Sequence, residues 1–551
     1  MFQLRKELQT LLFFVLLFSG PTIFANEINT VSTESDAGML IDRNNRIFQQ
    51  EKLQKILHHE KEKRNQEIKK IEEEKKENGE NVSDVSFVLT KIQTQKSDIL
   101  TKSEIARITE EYIKREITTT DLYTMVQKIN ALYEEKGYVV CRAILPAQRI
   151  QNGVVQILLI EGKTGNVTIE GNHSTREKYI RDRIPLERNK ISNFKELDKS
   201  LTHFNLTNDS PIQLNMLSGK IPGTTDYVME IYEPKRQQFL VFTDNFGQKN
   251  TGEVRLGLNY TNNSVTGNRD QLSVTGLLTE GTASLSSFYS FPIYKRGTKV
   301  VLQHSIGRLK HTKGALKHKI TGGSYSYGIG ILHPVLVREN NKVELSLDWS
   351  RQKTITNLLG LKWVNNTINK YILGLGISHY EEDSVFYWKH NLSKGKFIPI
   401  SGLEKNYTKY DSFLIYQKNL KYNTMATLRI AGQYSLTKDF PSVEQFYVGG
   451  AYSVRGYVDS FMGAEHGVTF STEFSKFLQE KGEIFAFLDG ASLHGESAWE
   501  ENKLFSSGFG YRLTFREKSN VALSIAFPWK RKINGIKVDS NRIYLTINHQ
   551  F

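Results

Sequence analysis

The sequence predicts two small α+β domains followed by an all-β transmembrane barrel of about 16 antiparallel strands. The chain has 551 residues, which is enough for several domains. Two units with the element order β-α-α-β-β follow one another near the start. The rest, about 315 residues, consists of short segments in which apolar and polar residues alternate, at about twenty residues for each strand and turn.

Residues 1–25 have the pattern of a secretory signal peptide. Arg5 and Lys6 precede the apolar run 11–18, and Ala25 supplies the small residue at a cleavage site. The apolar run is shorter than the roughly 20 residues that a membrane-spanning helix needs, and no other stretch of the sequence approaches that length. We therefore expect an exported protein that crosses a membrane with strands.

Residues 26–81 form a segment rich in charged side chains and poor in aromatic ones. The part over 43–76 contains neither Gly nor Pro and consists mostly of good helix formers. Asn78 and Gly79 favour the end of a helix and the start of a linker. Composition alone is typical of a solvated helix or a partly disordered tail.

Residues 82–163 predict a domain in which two helices cover one face of a three-stranded sheet. Strands are predicted near 85–89 and over 138–145 and 154–160. Gly137 ends the second helix. The predicted helix caps are a capping box at Thr101 and Glu104, which opens the first helix, and Thr119 or Thr120 with Asp121 for the second.

Residues 164–234 repeat the same order of elements. The predicted strands cover 165–172, 212–217 and 227–232, and the predicted helices cover 174–184 and 194–204. Taken alone, each of the two units is compatible with an ordinary small α+β domain.

Residues 235–551 predict the barrel. Leu256 and Leu258 alternate with polar or small residues, and so do Ile543 and Ile547 near the end of the chain. The bilayer core admits only helices or closed sheets. Alternation with a period of two is therefore expected of strands that present apolar side chains to lipid and polar ones to a wet lumen.

The charge and the single cysteine narrow the class of protein. The formal net charge is +14, but the basic residues are scattered and show no zinc-ligand spacing, so we expect no nucleic-acid partner. Cys141 is the only cysteine, so no intramolecular disulfide can form. It lies in an apolar segment and is expected to fill a domain core rather than to act as a reactive thiol.

Sequence motifs for catalysis are not found. No HExxH, GxSxG or Walker A sequence occurs, and the histidines are scattered. We therefore expect no enzyme activity, no catalytic residues, no cofactor and no metal site.

The most specific motif lies in the last fifth of the chain. Residues 446–457 read FYVGGAYSVRGY, with a single arginine, Arg455, near the end. Residues 485–491 read FAFLDGA and place Asp489 in a strand-like segment. An arginine within a membrane-embedded structure is costly unless it is paired or solvated, so it tends to mark function.

These two motifs resemble the FxxGGxxSVRGY and FxDxG signatures of the two-partner secretion transporters. These are outer-membrane proteins of TpsB type, also called the haemolysin activator or secretor family, within the outer-membrane assembly-factor superfamily. The resemblance covers essentially the whole mature chain. It departs at Ala491, which stands where the second signature has glycine, with Gly490 one place earlier.

The resemblance implies that 82–163 and 164–234 are periplasmic POTRA (polypeptide-transport-associated) domains, with the barrel of 235–551 in the outer membrane of a Gram-negative bacterium. In such proteins a helix in the position of 26–81 plugs the resting barrel, which is the alternative to a solvated helix. The resemblance also implies that a gating loop folds into the barrel and meets acidic residues on its wall. The loop tip is Val454, Arg455, Gly456 and Tyr457, and the candidate wall residues are Asp489 and Glu473.

The implied function is that of a translocation pore. Its POTRA domains would bind an unfolded partner, a large secreted exoprotein such as an adhesin or cytolysin, and its barrel would secrete that partner. Other implied partners are outer-membrane lipid and the barrel-assembly machinery, whose recognition signal Phe551 resembles. The alternative is an assembly factor that inserts barrel proteins. Such factors share the loop motif but usually carry more POTRA units and lack the helix.

Overall fold

A computed structural model describes residues 37–40, 85–438, 440–478, 482–515 and 518–551. The predicted signal peptide and most of the charged segment lie outside the described residues. From residue 85 onward the chain forms two small α+β units and a closed barrel of 16 antiparallel strands, which confirms the predicted architecture. Within the described ranges, no helix is both long and apolar enough to cross a membrane.

The first unit is a three-stranded sheet, order β2-β5-β4, with two helices packed on it, and a separate pair β1-β3. The prediction of two helices on a three-stranded sheet is confirmed, but the first strand of that sheet is β2, because the segment predicted over 85–89 pairs with β3 instead. The elements are β1 (Ser86–Val88), β2 (Lys91–Thr94), α1 (Lys102–Thr109), β3 (Glu116–Thr118), α2 (Thr119–Glu135), β4 (Arg142–Ile144) and β5 (Val154–Ile160).

The two helices of this unit both begin with a capping box. At α1, the Thr101 side chain accepts from the Glu104 N–H at 3.3 Å, and the Glu104 carboxylate accepts from the Thr101 N–H at 2.9 Å. The cap of α2 is Thr118, not the predicted Thr119 or Thr120. A capping box places the acid three residues after the cap, and Asp121 stands at that spacing from Thr118.

The second unit has the predicted element order, with β8 in the middle of the sheet, β6 parallel to it and β7 antiparallel. Tyr179, Ile180 and Phe204 from the helices are buried against Tyr227 and Met229 of β8. The elements are β6 (Lys163–Glu170), α3 (Glu177–Arg181), α4 (Phe194–Thr207), β7 (Ile212–Ser218) and β8 (Thr224–Ile231).

The barrel strands pair antiparallel with their neighbours, and the sheet closes where β28 pairs with β9. Two short hairpins, β20-β21 and β26-β27, lie outside the barrel sheet. The elements are β9 (Gln237–Asp244), β10 (Arg255–Asn262), β11 (Gln271–Leu278), β12 (Thr282–Pro292), β13 (Lys299–Lys310), β14 (Ile320–Arg338), β15 (Asn341–Leu358), β16 (Leu361–Tyr380), β17 (Ser384–Ile398), β18 (Lys405–Leu420), β19 (Thr424–Ser435), β20 (Phe446–Val448), β21 (Met462–Ala464), β22 (His466–Leu478), β23 (Gly482–His494), β24 (Lys503–Phe515), β25 (Ser519–Pro528), β26 (Lys532–Ile533), β27 (Ile536–Lys537) and β28 (Arg542–Gln550).

The strands present apolar side chains outward and polar ones inward. On β10, Leu256 and Leu258 are 45% and 55% exposed on the outer surface, whereas Arg255 and Asn259 are buried on the lumenal side. This distribution is the one that a bilayer outside and water inside require. The alternation predicted from the sequence is confirmed.

The second unit packs against one end of the barrel, which we call the proximal end; the opposite end is the distal end. Arg269, in the turn between β10 and β11, binds both carboxylate oxygens of Asp209, at 2.8 and 2.5 Å. Lys299 at the start of β13 donates to the Thr207 carbonyl at 2.9 Å. The chain enters β9 from this side, so the connection between β19 and β22 begins at the distal end.

Candidate functional site

The connection between β19 and β22 turns back from the distal end into the lumen. We call residues 440–464 of it the in-folded loop. β20 and β21 form its stem, and Gly449 and Gly450 turn the chain with φ of 110° and 90°, values that glycine adopts without strain. The tip contacts Asp489, which lies halfway along β23, so the loop reaches the middle of the barrel.

Arg455 at the loop tip forms a two-point ion pair with Asp489. Its Nε and Nη2 donate to the two carboxylate oxygens at 2.7 and 2.8 Å, and its backbone N–H donates to the same carboxylate at 3.1 Å. The Asp489 side chain is fully buried and that of Arg455 is 11% exposed. A planar guanidinium matches a carboxylate in this parallel arrangement, which fixes orientation as well as charge.

Glu473 on the neighbouring strand β22 accepts a further hydrogen bond from Arg455 Nη1 at 3.0 Å. The other Glu473 oxygen accepts from Arg512 at 2.6 Å, and Arg512 also donates to Glu483 at 2.6 Å. The Arg455 guanidinium carbon lies 3.4 Å from the centre of the Phe487 ring, a distance at which cation and ring attract. Arg455 therefore belongs to a network of charges on the barrel wall.

The other three residues of the predicted tip fix the loop around the arginine. Val454 and Tyr457 are buried in a small apolar core, and the Tyr457 hydroxyl donates to the Phe505 carbonyl at 2.9 Å. Gly456 has φ of 94°, and a Cβ there would lie 2.9 Å from Pro528 Cγ. Only glycine combines this backbone conformation with so close an approach to the wall.

The departure at the second signature is accommodated locally. Ala491, at the position where the family has glycine, is buried in the same apolar core as Val454. Gly490 lies between the rings of Phe470 and Phe505, which a Cβ would meet. Ala491 therefore belongs to the apolar core into which the loop tip is packed.

The structure brings together three of the predicted site residues, Arg455, Asp489 and Glu473, with the rest of the predicted tip around them. Phe551 lies elsewhere. It follows β28 at the proximal end, where its N–H donates to the Phe239 carbonyl at 2.9 Å. Because Phe551 lies at the proximal end and not at the loop tip, it does not help to hold the loop.

A second ion pair at the loop was missed in the sequence. Arg255 binds both carboxylate oxygens of Asp244 at 2.7 and 2.8 Å, and its Nη2 donates to the Tyr452 hydroxyl of the loop at 3.2 Å. Both charged side chains are at most 6% exposed. Asp244 ends β9 and Arg255 begins β10, so an antiparallel hairpin would have placed them side by side.

A third contact, also missed, holds the descending part of the loop. Glu444 accepts from Lys370 of β16 at 2.6 Å and pairs with Lys409 of β18 at 2.9 Å. Its backbone carbonyl accepts from Gln433 at 2.9 Å. A glutamate between Val443 and Gln445 carries no sequence signal for lysine partners 35 and 74 positions away.

Residues 37–40 lie on the lumenal wall near the distal end. The Ala37 N–H donates to the Thr356 hydroxyl at 3.1 Å, and the Ser324 hydroxyl donates to the Ala37 carbonyl at 2.8 Å. Leu40 is buried against Leu309. The strands contacted are β13, β14 and β15. The first unit contacts the second, where the Asn193 side-chain amide donates to the Lys136 carbonyl at 2.8 Å, so the first unit lies on the proximal side, away from residues 37–40.

Chemically, the site consists of ion pairs between a loop and the wall that surrounds it. In the part of the chain that the structure describes, no group of three or more His, Cys, Asp or Glu side chains is arranged to hold a metal ion. What the arrangement provides is a loop held across the lumen by polar contacts at several points.

Family models match the first α+β unit and most of the barrel. The model of the haemolysin secretion/activation proteins ShlB, FhaC and HecB matches residues 223–513, more than half of the chain. The model of the ShlB-type POTRA domain matches residues 87–162, which is the first unit.

Individual relatives agree with these matches. The chain is 26% identical over 422 residues to the heme/hemopexin transporter protein HuxB of Haemophilus influenzae, with 72% of this chain and 73% of the relative covered. It is 24% identical over 433 residues to the outer membrane transporter CdiB of Dickeya dadantii, with 70% and 72% covered.

Solved structures share the fold. CdiB from Escherichia coli has a TM-score of 0.68 at 19% identity, covering 95% of this chain and 100% of that one. BamA from Haemophilus ducreyi, lacking POTRA domains 1-3, has a TM-score of 0.50 at 14% identity, covering 85% and 100%. By its family match, its fold and its relatives, the chain belongs to the ShlB/FhaC/HecB family of haemolysin secretion and activation proteins, and it is an outer-membrane transporter of two-partner secretion.

Proposed function

We propose that this transporter binds an unfolded, large exoprotein in the periplasm and passes it through the barrel lumen, with the in-folded loop as the gate. The observation that carries the proposal is the position of Arg455, held by Asp489 and Glu473 in the middle of the lumen. Ion pairs exchange partners without breaking covalent bonds or a large apolar core. A loop held in this way can occupy one position at rest and leave it when a chain enters.

We propose that the two periplasmic units recognise the exoprotein. We also propose that both are POTRA domains, with the predicted bounds 82–163 and 164–234. A strand at the edge of a sheet offers unpaired backbone groups to which an extended partner chain can add. Of the two edges in the second sheet, β6 is partly covered, because Arg181 donates to the Val167 carbonyl at 3.2 Å. The edge strand β7 carries Met216 and Leu217, which are 43% and 56% exposed.

We further propose that the segment 26–81 closes the lumen at rest, as the predicted plug. Supporting this is the place of residues 37–40 on the inner wall near the distal end, while the first unit lies on the proximal side.

The driving force that we propose is folding of the exoprotein outside the cell. The sequence holds no Walker A motif, and the periplasm offers no ATP. Folding at the distal end would prevent return of the part already exported.

For insertion of the transporter itself, we propose that Phe551 contributes to recognition by the barrel-assembly machinery. It is an aromatic residue directly after the last strand. Deletion of Phe551 is then expected to lower the amount of folded barrel in outer-membrane fractions. An unchanged amount would remove Phe551 from this role.

The experiment that tests recognition compares edge and non-edge variants in cells that produce the transporter together with its exoprotein. Leu217→Asp on β7 is expected to lower the exoprotein in the medium at least several-fold, with normal barrel levels. The matched control is Tyr123→Asp, which replaces a similarly exposed side chain, 46% exposed, on the helix α2 instead of on a strand. Equal secretion by both variants would exclude β7 as the binding edge.

The same cells distinguish the alternative, an assembly factor. If outer-membrane porins fall in amount when the transporter gene is deleted while the exoprotein is still secreted, the chain assembles barrels instead of secreting a partner.

A further inference from the structure

The strand pair that closes the barrel is held by a short ladder. β28 pairs with β9 over Thr546–Gln550 and Leu240–Asp244. The ladder between β15 and β16, in contrast, runs along most of two strands of 18 and 20 residues. We call the pairing of β28 with β9 the seam. Because backbone hydrogen bonds hold neighbouring strands together, the seam has less support than the long ladders.

The in-folded loop contacts the β9 side of the seam through Tyr452. Its hydroxyl accepts from Arg255 at 3.2 Å, and Arg255 is held by both oxygens of Asp244, the last residue of the seam on β9. The Tyr452 ring packs with Leu240 and Phe242 on the lumenal face of the same strand.

The loop contacts the β28 side through Tyr544. The Gly456 N–H donates to the Tyr544 hydroxyl at 2.8 Å, and that hydroxyl donates to the Tyr457 carbonyl at 3.3 Å. Tyr544 is 4% exposed, so these hydrogen bonds are shielded from water.

One aromatic ring joins the two sides. Phe246, just beyond β9, lies edge-on to Tyr452 with the ring centres 5.8 Å apart and edge-on to Tyr544 at 5.6 Å. Both distances fall in the range in which aromatic rings attract each other. The loop, β9 and β28 therefore share one continuous set of lumenal contacts.

We propose that the loop tip is an internal clamp across the seam, with Tyr452 and Tyr544 as its positioning residues. Withdrawal of the loop from the lumen then removes support from the seam, so that the gate and the closure of the barrel act together. The role of loop withdrawal in transport rests on the proposed function, but the clamp itself does not.

Hydrogen exchange on the purified, folded transporter tests the clamp without any exoprotein. Tyr452→Ala removes the contact with β9, and Tyr544→Phe removes one hydroxyl from the contact with β28. In both variants we expect amides of 240–244 and 546–550 to exchange about tenfold faster, and amides of the ladder between β15 and β16 to exchange at the wild-type rate.

The control is Glu444→Gln, which weakens the loop's hold on β16 and β18, away from the seam. Its seam amides are expected to keep the wild-type rate. The proposal is overturned if the seam amides of Tyr544→Phe exchange at the wild-type rate. It is also overturned if the seam amides of Glu444→Gln exchange as fast as those of the two tyrosine variants. Because no exoprotein is present, a failed clamp would leave the secretion tests of the proposed function unaffected.

Discussion

Arg455 takes up more of its hydrogen-bonding capacity than any simple ion pair would require. Three of its side-chain nitrogens and its backbone N–H donate to residues on β22 and β23. The side-chain hydrogen bonds hold the guanidinium in one plane above Phe487. Loss of the planar pair of N–H donors of the guanidinium, and not only loss of its charge, is therefore expected to release the loop.

Replacement of Arg455 or Asp489 by alanine is expected to reduce secretion strongly while the barrel still inserts. Removal of either partner leaves a buried charge without its counter-ion, which costs on the order of 3 kcal/mol where the pair is shielded from water. Arg455→Lys keeps the charge but loses the planar fork, and should also be clearly impaired. The measurement is exoprotein in the medium relative to folded transporter in the membrane.

The double variant provides the control for this pair. Because the two side chains act as a unit, Arg455→Ala with Asp489→Ala should be no worse than either single variant. Normal secretion by both single variants would mean that the arginine merely lines a wet channel.

Cys141 illustrates how burial sets the chemistry of a single residue. Its side chain is 2% exposed in the core of the first unit, as the sequence predicts, and burial raises the pKa of the thiol from 9.0 to about 11. The thiolate is the reactive form, so a maleimide at pH 7.5 is expected to leave Cys141 unlabelled in the folded protein and to label it in urea.

The sign of the pH effect follows from the same shift. The folded state holds the thiol proton more tightly than the unfolded state, so the stability that this contributes is present below pH 9 and is lost between pH 9 and about 11.

In the labelling experiment, labelling of the folded protein at pH 7.5 as fast as in urea would contradict the buried position of Cys141.

At the scale of elements, structure that depends on neighbouring residues could be predicted from the sequence, and structure that depends on distant partners could not. The capping box of α1 and the strand over 154–160 follow from neighbouring residues alone. β2 and β3 are four and three residues long, and exist because partners on β5 and β1 supply their hydrogen bonds. The contact of Tyr452 with Arg255 joins residues 197 positions apart, which single-sequence patterns do not reveal.

A disulfide between the wall and residue 40 is expected to hold the lumen closed. A Cβ built on Gly307 of β13 would lie 3.3 Å from the Leu40 Cβ, close to the separation found in disulfides. In the variant Leu40→Cys with Gly307→Cys, oxidation should block secretion and suppress large single-channel openings, and a reducing agent should restore both.

The matched control pairs Leu40→Cys with Ile306→Cys. Ile306 neighbours Gly307 but is 42% exposed on the outer surface of the barrel. No crosslink is expected for this pair. Secretion at the wild-type level by the oxidised Leu40–Gly307 pair would show that residues 37–40 can stay in place while the exoprotein passes.

At the scale of the whole molecule, the second unit and the in-folded loop define a direction along the barrel, from the proximal to the distal end. The second unit packs on the proximal end through Arg269 and Lys299, and the in-folded loop enters from the distal end. An exoprotein bound at β7 would therefore meet the lumen first and the loop tip afterwards. The barrel and its approximate strand number were predictable, because alternation and length are properties of the sequence itself.

The most direct test of the account asks whether the exoprotein passes through the lumen. Asp348 and Leu347 are neighbours on β15; Asp348 lies on the lumenal face, where it accepts from Ser346 at 2.9 Å, and Leu347 is 57% exposed on the outer surface. Each is replaced in turn by a photo-crosslinking amino acid, in cells whose exoprotein is arrested in transit by a domain that folds in the periplasm. If the exoprotein passes through the lumen, adducts form from position 348 and not from 347. Adducts from both positions equally, or from neither, would contradict passage through the lumen.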